Sequence, residues 1–341
     1  MQIGLDSGDP NILHFDVEME DGTKFDLPYQ LGTNIFTAAH DFLMKNNLPY
    51  SHLNDVANFI EQNTKGMKPQ TTILPALQRK TFPIKNYDKL EELLRVACPT
   101  DGDLIAVATM AQFIKAGKGF SLTAEMKQTI STLVVYALNN FSLFPPLFDL
   151  FGGLCLKCTD AVKYFETTNV YSQLSACIFE LYEKNTITMP QKIMFIKFVA
   201  NCFVTCPPEL FMEMVHSTYG KLMPMLKTEY EKAVTDKNVN METAIVGVLL
   251  NFTIAAISSS LASMMAEGIY EMVLDMFVKT EEQTVKALLM LAIGNFVQQD
   301  QTIRLEFMQK KEIVERMKSE TDTTIQAIWK ELNELVFGVS N

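Results

Sequence analysis

Histidine is scarce in this 341-residue chain, with four in all, and the signatures that most often announce catalysis are missing. No GxxxxGK[ST] loop occurs. The nearest stretch, Ala116-Gly117-Lys118-Gly119-Phe120, lacks both the upstream glycine and the hydroxyl after the lysine that a phosphate cradle needs. GxSxG and HExxH are absent too. Three histidines, His14, His40 and His52, fall within the first 66 residues, whereas all six cysteines lie beyond them. A Cys-His nucleophile pair would therefore have to bridge distant parts of the chain, with His216 as the one local candidate beside Cys202 and Cys206. The expectation is a protein without catalysis or cofactor, a cysteine-dependent enzyme being the remote alternative.

Basic charge is also in deficit, with 29 Lys and Arg against 40 Asp and Glu and a net charge of -11. That field excludes a nucleic-acid surface and suits a partner with basic character. It is unevenly placed: residues 1–64 hold ten carboxylates against Lys24 and Lys45, so most of the net charge sits at the N-terminal end. No basic and apolar run follows Met1, which predicts a cytoplasmic or nuclear protein. The longest apolar stretch, Leu133 to Leu156, is interrupted by Asn139, Asn140, Pro145, Pro146 and Asp149, and reads as two buried helices with a break, not a membrane span.

Cysteine is sparse and placed where it does little chemistry. Cys155 and Cys158 have CxxC spacing and Cys202 and Cys206 CxxxC spacing, but both pairs sit in apolar helical sequence without the closed four-ligand set of a zinc site. They read as small hydrophobes, and an intracellular setting disfavours disulfides. The twenty methionines read in the same way, as core filling for irregular helix packing.

What is present divides near residue 66. Residues 16 to 25 carry a turn signal at Asp21-Gly22 between Val17 and Phe25, which predicts a hairpin, and Leu27-Pro28-Tyr29 ends the extended part. Phe36, Ala39, Phe42 and Leu43, and then Leu53, Val56, Ala57 and Ile60, recur at helical spacing. Beyond a short polar link at residues 67–72, apolar helical segments of roughly 15 to 20 residues follow one another. They are broken at Cys98 to Gly102, Gly117 to Gly119, Pro145-Pro146, Pro190, Pro207-Pro208 and Asp300, and no strand is expected after residue 70. The fold class is therefore mainly α, a small α+β module over 1–66 followed by a helical domain over 73–341.

A weak repeat predicts a solenoid. Asn140, Asn201, Asn251 and Asn295 each end a run of small or apolar residues with an aromatic close by, at spacings of 61, 50 and 44 residues. The last approaches the period of armadillo or HEAT units. One side-chain amide supplies both a donor and an acceptor to a peptide unit, so a row of them in a groove could grip an extended main chain. The competing expectation is that each Asn satisfies a carbonyl of the neighbouring helix.

The small module resembles the PFU domain, the ubiquitin-binding module of phospholipase-A2-activating proteins. The matching residues are Leu27-Pro28-Tyr29, Asn34 to Ala39, Phe42-Leu43, Asn46-Asn47-Leu48, and Val56 to Ile60 with Asn63-Thr64. Ile35 stands where the family usually has proline. The helical part resembles the PUL domain that follows PFU in that family, on Phe144-Pro145-Pro146-Leu147 with Asp149-Leu150, Lys197 to Val204, Val248 to Phe252, and Leu289 to Gly294. The family's WD40 propeller has no counterpart in these residues. The resemblance implies a non-catalytic adaptor that binds ubiquitin or ubiquitylated proteins through the first domain and the C-terminal tail of an AAA unfoldase, valosin-containing protein, through an armadillo-like groove. A scaffold for another acidic peptide is the alternative.

On that resemblance Phe36, Phe42, Leu48, Pro49 and Tyr50 are the ubiquitin-binding candidates. Asn140, Lys197, Asn201, Asn251, Lys286 and Asn295 are the groove candidates. Lys197 stands where the family has arginine, keeping charge without the bidentate fork. Other expected arginines fall on Phe151 or Gly152 and on Leu288, with Lys286 as a possible substitute and Lys157, Lys163 and Lys192 as further sources of charge.

Overall fold

The computed structural model describes residues 3–5, 12–18, 24–31, 33, 35–46, 48–65, 73–257 and 263–338. The chain forms two compact units, residues 1–72 and 73–341. The Asp21-Gly22 turn and the link at 67–72 lie outside the described residues.

In the first unit, β1 (Ile3–Leu5), β2 (Ile12–Glu18) and β3 (Lys24–Gln30) form an antiparallel sheet in the order β1-β2-β3, with Leu13 opposite Tyr29 and Phe15 opposite Leu27. The period-2 alternation puts Leu13, Phe15, Leu27 and Tyr29 on one buried face. Two helices, α1 (Ile35–Lys45) and α2 (Leu53–Thr64), close the same core with Ala39, Phe42, Leu43, Val56, Ala57 and Ile60. Phe59 meets Phe15 edge-on at 5.7 Å and Phe42 meets Phe25 edge-on at 6.3 Å, the geometry that ring quadrupoles favour.

The second unit is helical throughout its described residues apart from an extended opening segment, 73–85, and an isolated bridge between Phe120 and Cys158. Its helices are α3 (Tyr87–Arg95), α4 (Asp101–Ala116), α5 (Ala124–Asn139), α6 (Phe144–Lys157), α7 (Ala161–Thr167), α8 (Val170–Glu183), α9 (Met189–Thr205) and α10 (Pro208–Thr235). They continue with α11 (Val239–Ile257), α12 (Ser263–Lys279), α13 (Gln283–Gln299), α14 (Gln301–Gln309), α15 (Lys311–Ser319) and α16 (Thr323–Phe337).

The breaks have local causes. Prolines at the first turn open α6, α9 and α10, where the missing N–H has no helical partner to lose. Thr100, Thr123, Asp300 and Asp322 cap α4, α5, α14 and α16 through side-chain oxygens, and Gly117 ends α4 in the left-handed region at φ 72°. The apolar stretch from Leu133 is, as its interruptions predict, two helices: α5 and α6 with a 3-10 turn at Phe141–Leu143 between them. α11 is long and apolar enough to cross a membrane, but most of it is buried against α9, α10 and α13, which makes it a core helix.

Five helices form an inner row, α6 on α9 on α11 on α13 on α16. With helix axes 8–10 Å apart, four gaps span roughly 36 Å. Eleven extended steps from residue 73 to 84 cover about the same length. The opening segment can therefore cross the whole row, and it does.

Candidate functional site

Segment 73–85 runs as a strap over the inner row, from α16 back to α6. Glu331 of α16 accepts the backbone N–H groups of Ile73 (2.7 Å) and Leu74 (2.9 Å). Asn295 of α13 accepts from the Ala76 N–H at 2.7 Å and donates to its carbonyl at 3.2 Å. Asn251 of α11 does the same for Lys80 at 2.6 and 2.7 Å, and Asn201 of α9 for Phe82 at 2.9 and 2.8 Å. Arg79 donates to the carbonyls of Phe203, at 3.0 Å, and Val204, covering the open C-terminal carbonyls of α9.

Each amide has a second duty toward the preceding inner helix. Asn201 also donates to the Gly152 carbonyl of α6 (3.3 Å), Asn251 to the Ala200 carbonyl of α9 (2.9 Å) and Asn295 to the Thr253 hydroxyl of α11 (3.0 Å). Asn201 and Asn251 thus grip an extended main chain and also satisfy a neighbouring helix's carbonyl, while Asn295 grips the main chain and takes a hydroxyl in place of the carbonyl. The correction is in whose main chain it is. Asn201, Asn251 and Asn295 are buried and their amides are taken by this chain's own strap, so they do not meet a foreign peptide.

Two further assignments are corrected. Asn140 stands outside the row, at the end of α5, where its side-chain oxygen accepts from the Ser142 hydroxyl (2.7 Å) and backbone N–H (3.3 Å) in a local turn. Lys286 is 3% exposed and paired at 2.7 Å with Glu320, so it holds α13 to the α15–α16 junction and presents no charge to a ligand. Among the other lysines considered, Lys192 pairs with the buried Glu229 at 2.9 Å, and Lys157 and Lys163 are exposed outside the groove.

Close approach of the strap needs small residues beneath it. A Cβ on Gly294 would overlap Leu74, and one on Gly247 would lie 2.8 Å from the Phe82 ring.

What the strap leaves open is a cavity of about 340 Å³ over α6, α9 and the start of α11. Lys80, Thr81, Phe82, Pro83 and Lys85 of the strap form one wall, and Phe148, Asp149, Lys197, Phe198 and Asn240 line the rest. Lys197, a predicted groove residue, does lie here, with its ammonium 5.7 Å from the Phe82 ring centroid. Burial lowers its pKa and the charge on Lys85 lowers it further, against a partial recovery from Asp149. The positions of the family's missing arginines carry no charge: Phe151 is core and Gly152 packs against Asn201. Lys80 and Lys85 come instead from the strap, a source invisible while the segment is read as the start of a helical domain.

In the first unit, Phe42 is 4% exposed and belongs to the core, and Leu48 is half-buried against that core, which corrects their assignment to a binding patch. Phe36, Pro49 and Tyr50 are exposed. Met44, missed in the sequence, joins them: Phe36, His40 and Met44 follow one another at i, i+4, i+8 along α1, and the His40 ring meets Tyr50 edge-on at 5.9 Å.

Cys155, Cys158, Cys202 and Cys206 are buried, out of reach of any substrate, which removes the cysteine-enzyme alternative. Among the described residues no group of three His, Cys, Asp or Glu could hold a metal ion.

Comparison with known proteins agrees with this architecture. The PFU profile, described as PLAA family ubiquitin binding, matches residues 12–68, and the PUL domain profile matches residues 69–331. The chain is similar to the ubiquitin homeostasis protein lub1 of Schizosaccharomyces pombe, 28% identical over an alignment of 195 residues, gaps included, that covers 46% of this chain and 27% of lub1. It thus spans about a quarter of the length of that curated relative. A crystal structure of PUL and PFU domains superposes with a TM-score of 0.53 at 18% identity, covering 94% of this chain and 96% of that one. A designed armadillo repeat protein in complex with a (KR)4 peptide gives 0.51 at 12% identity over 73% of this chain and 99% of that one. These likenesses show an armadillo-like fold. Because the PUL profile alone spans well over half of the residues, behind a PFU match, the chain belongs to the PFU–PUL family of phospholipase-A2-activating and ubiquitin homeostasis proteins.

Proposed function

We propose that this chain is a non-catalytic adaptor in ubiquitin-dependent protein turnover, acting in the cytoplasm and nucleus. The PFU unit binds ubiquitin through Phe36, Met44, Pro49 and Tyr50, an exposed apolar surface within the acidic end of the chain. The PUL groove binds the acidic C-terminal tail of an AAA unfoldase of the valosin-containing protein class.

The observation that carries the second half is the strap. It runs over the inner row, satisfies the amides of Asn201, Asn251 and Asn295, and brings Lys80 and Lys85 to line the same cavity as Lys197. Three ammonium groups in a partly desolvated cleft favour carboxylates, and each charge-assisted hydrogen bond there is stronger than a neutral one. Covalent linkage of two weak sites raises the local concentration of each ligand for the other to about the millimolar range.

The test is a pair of calorimetric titrations of the intact chain, one with ubiquitin and one with a synthetic C-terminal peptide of valosin-containing protein. Saturable binding in both is expected. A folded chain that ignores the peptide removes the unfoldase half, and one that ignores ubiquitin removes the other.

A further inference from the structure

Asp149 is the one carboxylate in an otherwise cationic groove. It projects from α6, half-buried beside the Phe148 and Phe198 rings, which stack at 5.4 Å. Among the described residues it has no hydrogen bond and no ion pair within 4 Å; Lys197 influences it only through its field. Several other carboxylates of this unit at similar or greater depth are supplied with donors, although Glu166 keeps a buried oxygen without one. Glu229 takes Lys192 and Lys232, Glu320 takes Lys286, and Asp103 takes the hydroxyls of Thr100 and Thr129. Burial pushes the Asp149 carboxyl above the ordinary carboxylate range against the pull of Lys197, as expected of a carboxylate at the half-buried wall of a groove with no donor beside it. Its oxygens face the cavity, where a ligand donor can replace the water that solvates them.

We propose that Asp149 is the specificity-determining residue of the groove, accepting a hydrogen bond from a side-chain N–H or O–H of the bound peptide. The inference rests on the groove being the tail site, and it narrows the ligand: a peptide with a donor side chain set among carboxylates, not a run of carboxylates alone. Lys80, Lys85 and Lys197 supply attraction to any acidic chain, and the unpaired carboxylate rejects those that place another carboxylate opposite it.

The sign of a mutational effect tests this. If Asp149 acts only as a negative charge, removing it tightens every acidic peptide. If it accepts from the ligand, Asp149→Ala weakens the valosin-containing protein tail by about tenfold. The same change tightens an oligoglutamate of equal length, which has no side-chain donor at neutral pH. Asp149→Asn, near in shape, moves both affinities in the same directions by less, and decides the matter if the alanine variant melts early. Wild-type binding of the tail with unchanged or tighter binding by both variants overturns the proposal and leaves the tail site standing. Absence of wild-type tail binding removes both.

Discussion

The Asn251 side chain closes on Lys80 as one peptide unit closes on another in a sheet, taking its N–H at 2.6 Å and giving to its carbonyl at 2.7 Å. An Asn251→Ala variant leaves both groups of a part-buried backbone unit without partners and also removes the second hydrogen bond to the Ala200 carbonyl. A loss of about 2–4 kcal/mol is expected. Urea unfolding of wild type and variant measures it.

Strap and row also predict a proteolytic readout. Arg79 and Lys80 are tryptic sites in extended backbone, protected while the Asn amides hold it. Gly247→Ala places a methyl against the Phe82 ring. Cleavage after Arg79 or Lys80 should then appear under conditions where the wild type stays intact, as read by mass spectrometry.

If the groove takes an acidic tail, Lys197→Ala weakens it by about tenfold, and Lys85→Ala acts in the same direction. The wild-type affinity falls as salt is raised, and more steeply than that of either variant. Fluorescence anisotropy at two ionic strengths supplies all the comparisons. An unchanged affinity in Lys197→Ala would move the site elsewhere.

In the PFU unit, core and surface separate cleanly. Phe42→Ala empties a core position and destabilises the module by about 3–5 kcal/mol. Tyr50→Ala, at a side chain 61% exposed, leaves folding unchanged and abolishes ubiquitin-induced shifts in an NMR titration. Survival of those shifts would exclude the Tyr50 face.

Glu229 provides a pH prediction away from either site. Burial pushes its carboxyl up, but hydrogen bonds from Lys192 and Lys232 outweigh that and hold it below the ordinary glutamate range. A folded value below the unfolded one means stability present above the ordinary range and lost as pH falls through the folded value. Glu229→Gln removes that dependence and leaves the nearly buried Lys192 without its carboxylate, costing about 3 kcal/mol at neutral pH. Denaturation midpoints from pH 7 downward, in both proteins, provide the check.

Much of the fold was legible because local rules decide it. The turn signal between Val17 and Phe25, helical spacing in α1 and α2, and prolines at the first turns of α6, α9 and α10 all act within a few residues of themselves. The recurrence of Asn201, Asn251 and Asn295 was legible too, but its object was not, since the partner lies 119 to 219 residues away in sequence. Phe36 and Phe42 are both compatible with one helical stripe, and only the packing of α1 on the sheet tells the exposed ring from the buried one. Lys286 shows the same limit: its position suggests a free charge, and Glu320 on a later turn absorbs it.

The contact between Ile73 and Glu331 joins residues 258 positions apart, so the first segment of the solenoid is fastened by its last helix. Loop closure on that scale must precede any gain from the bond, which assigns the strap to a late step of folding. On the ribosome, residues 73–85 emerge before the five inner helices and wait for these to stack beneath them. The armadillo row is thus a template completed by its own leading edge, and shortening the chain within α16 should leave that edge unmoored while the middle of the row remains stacked.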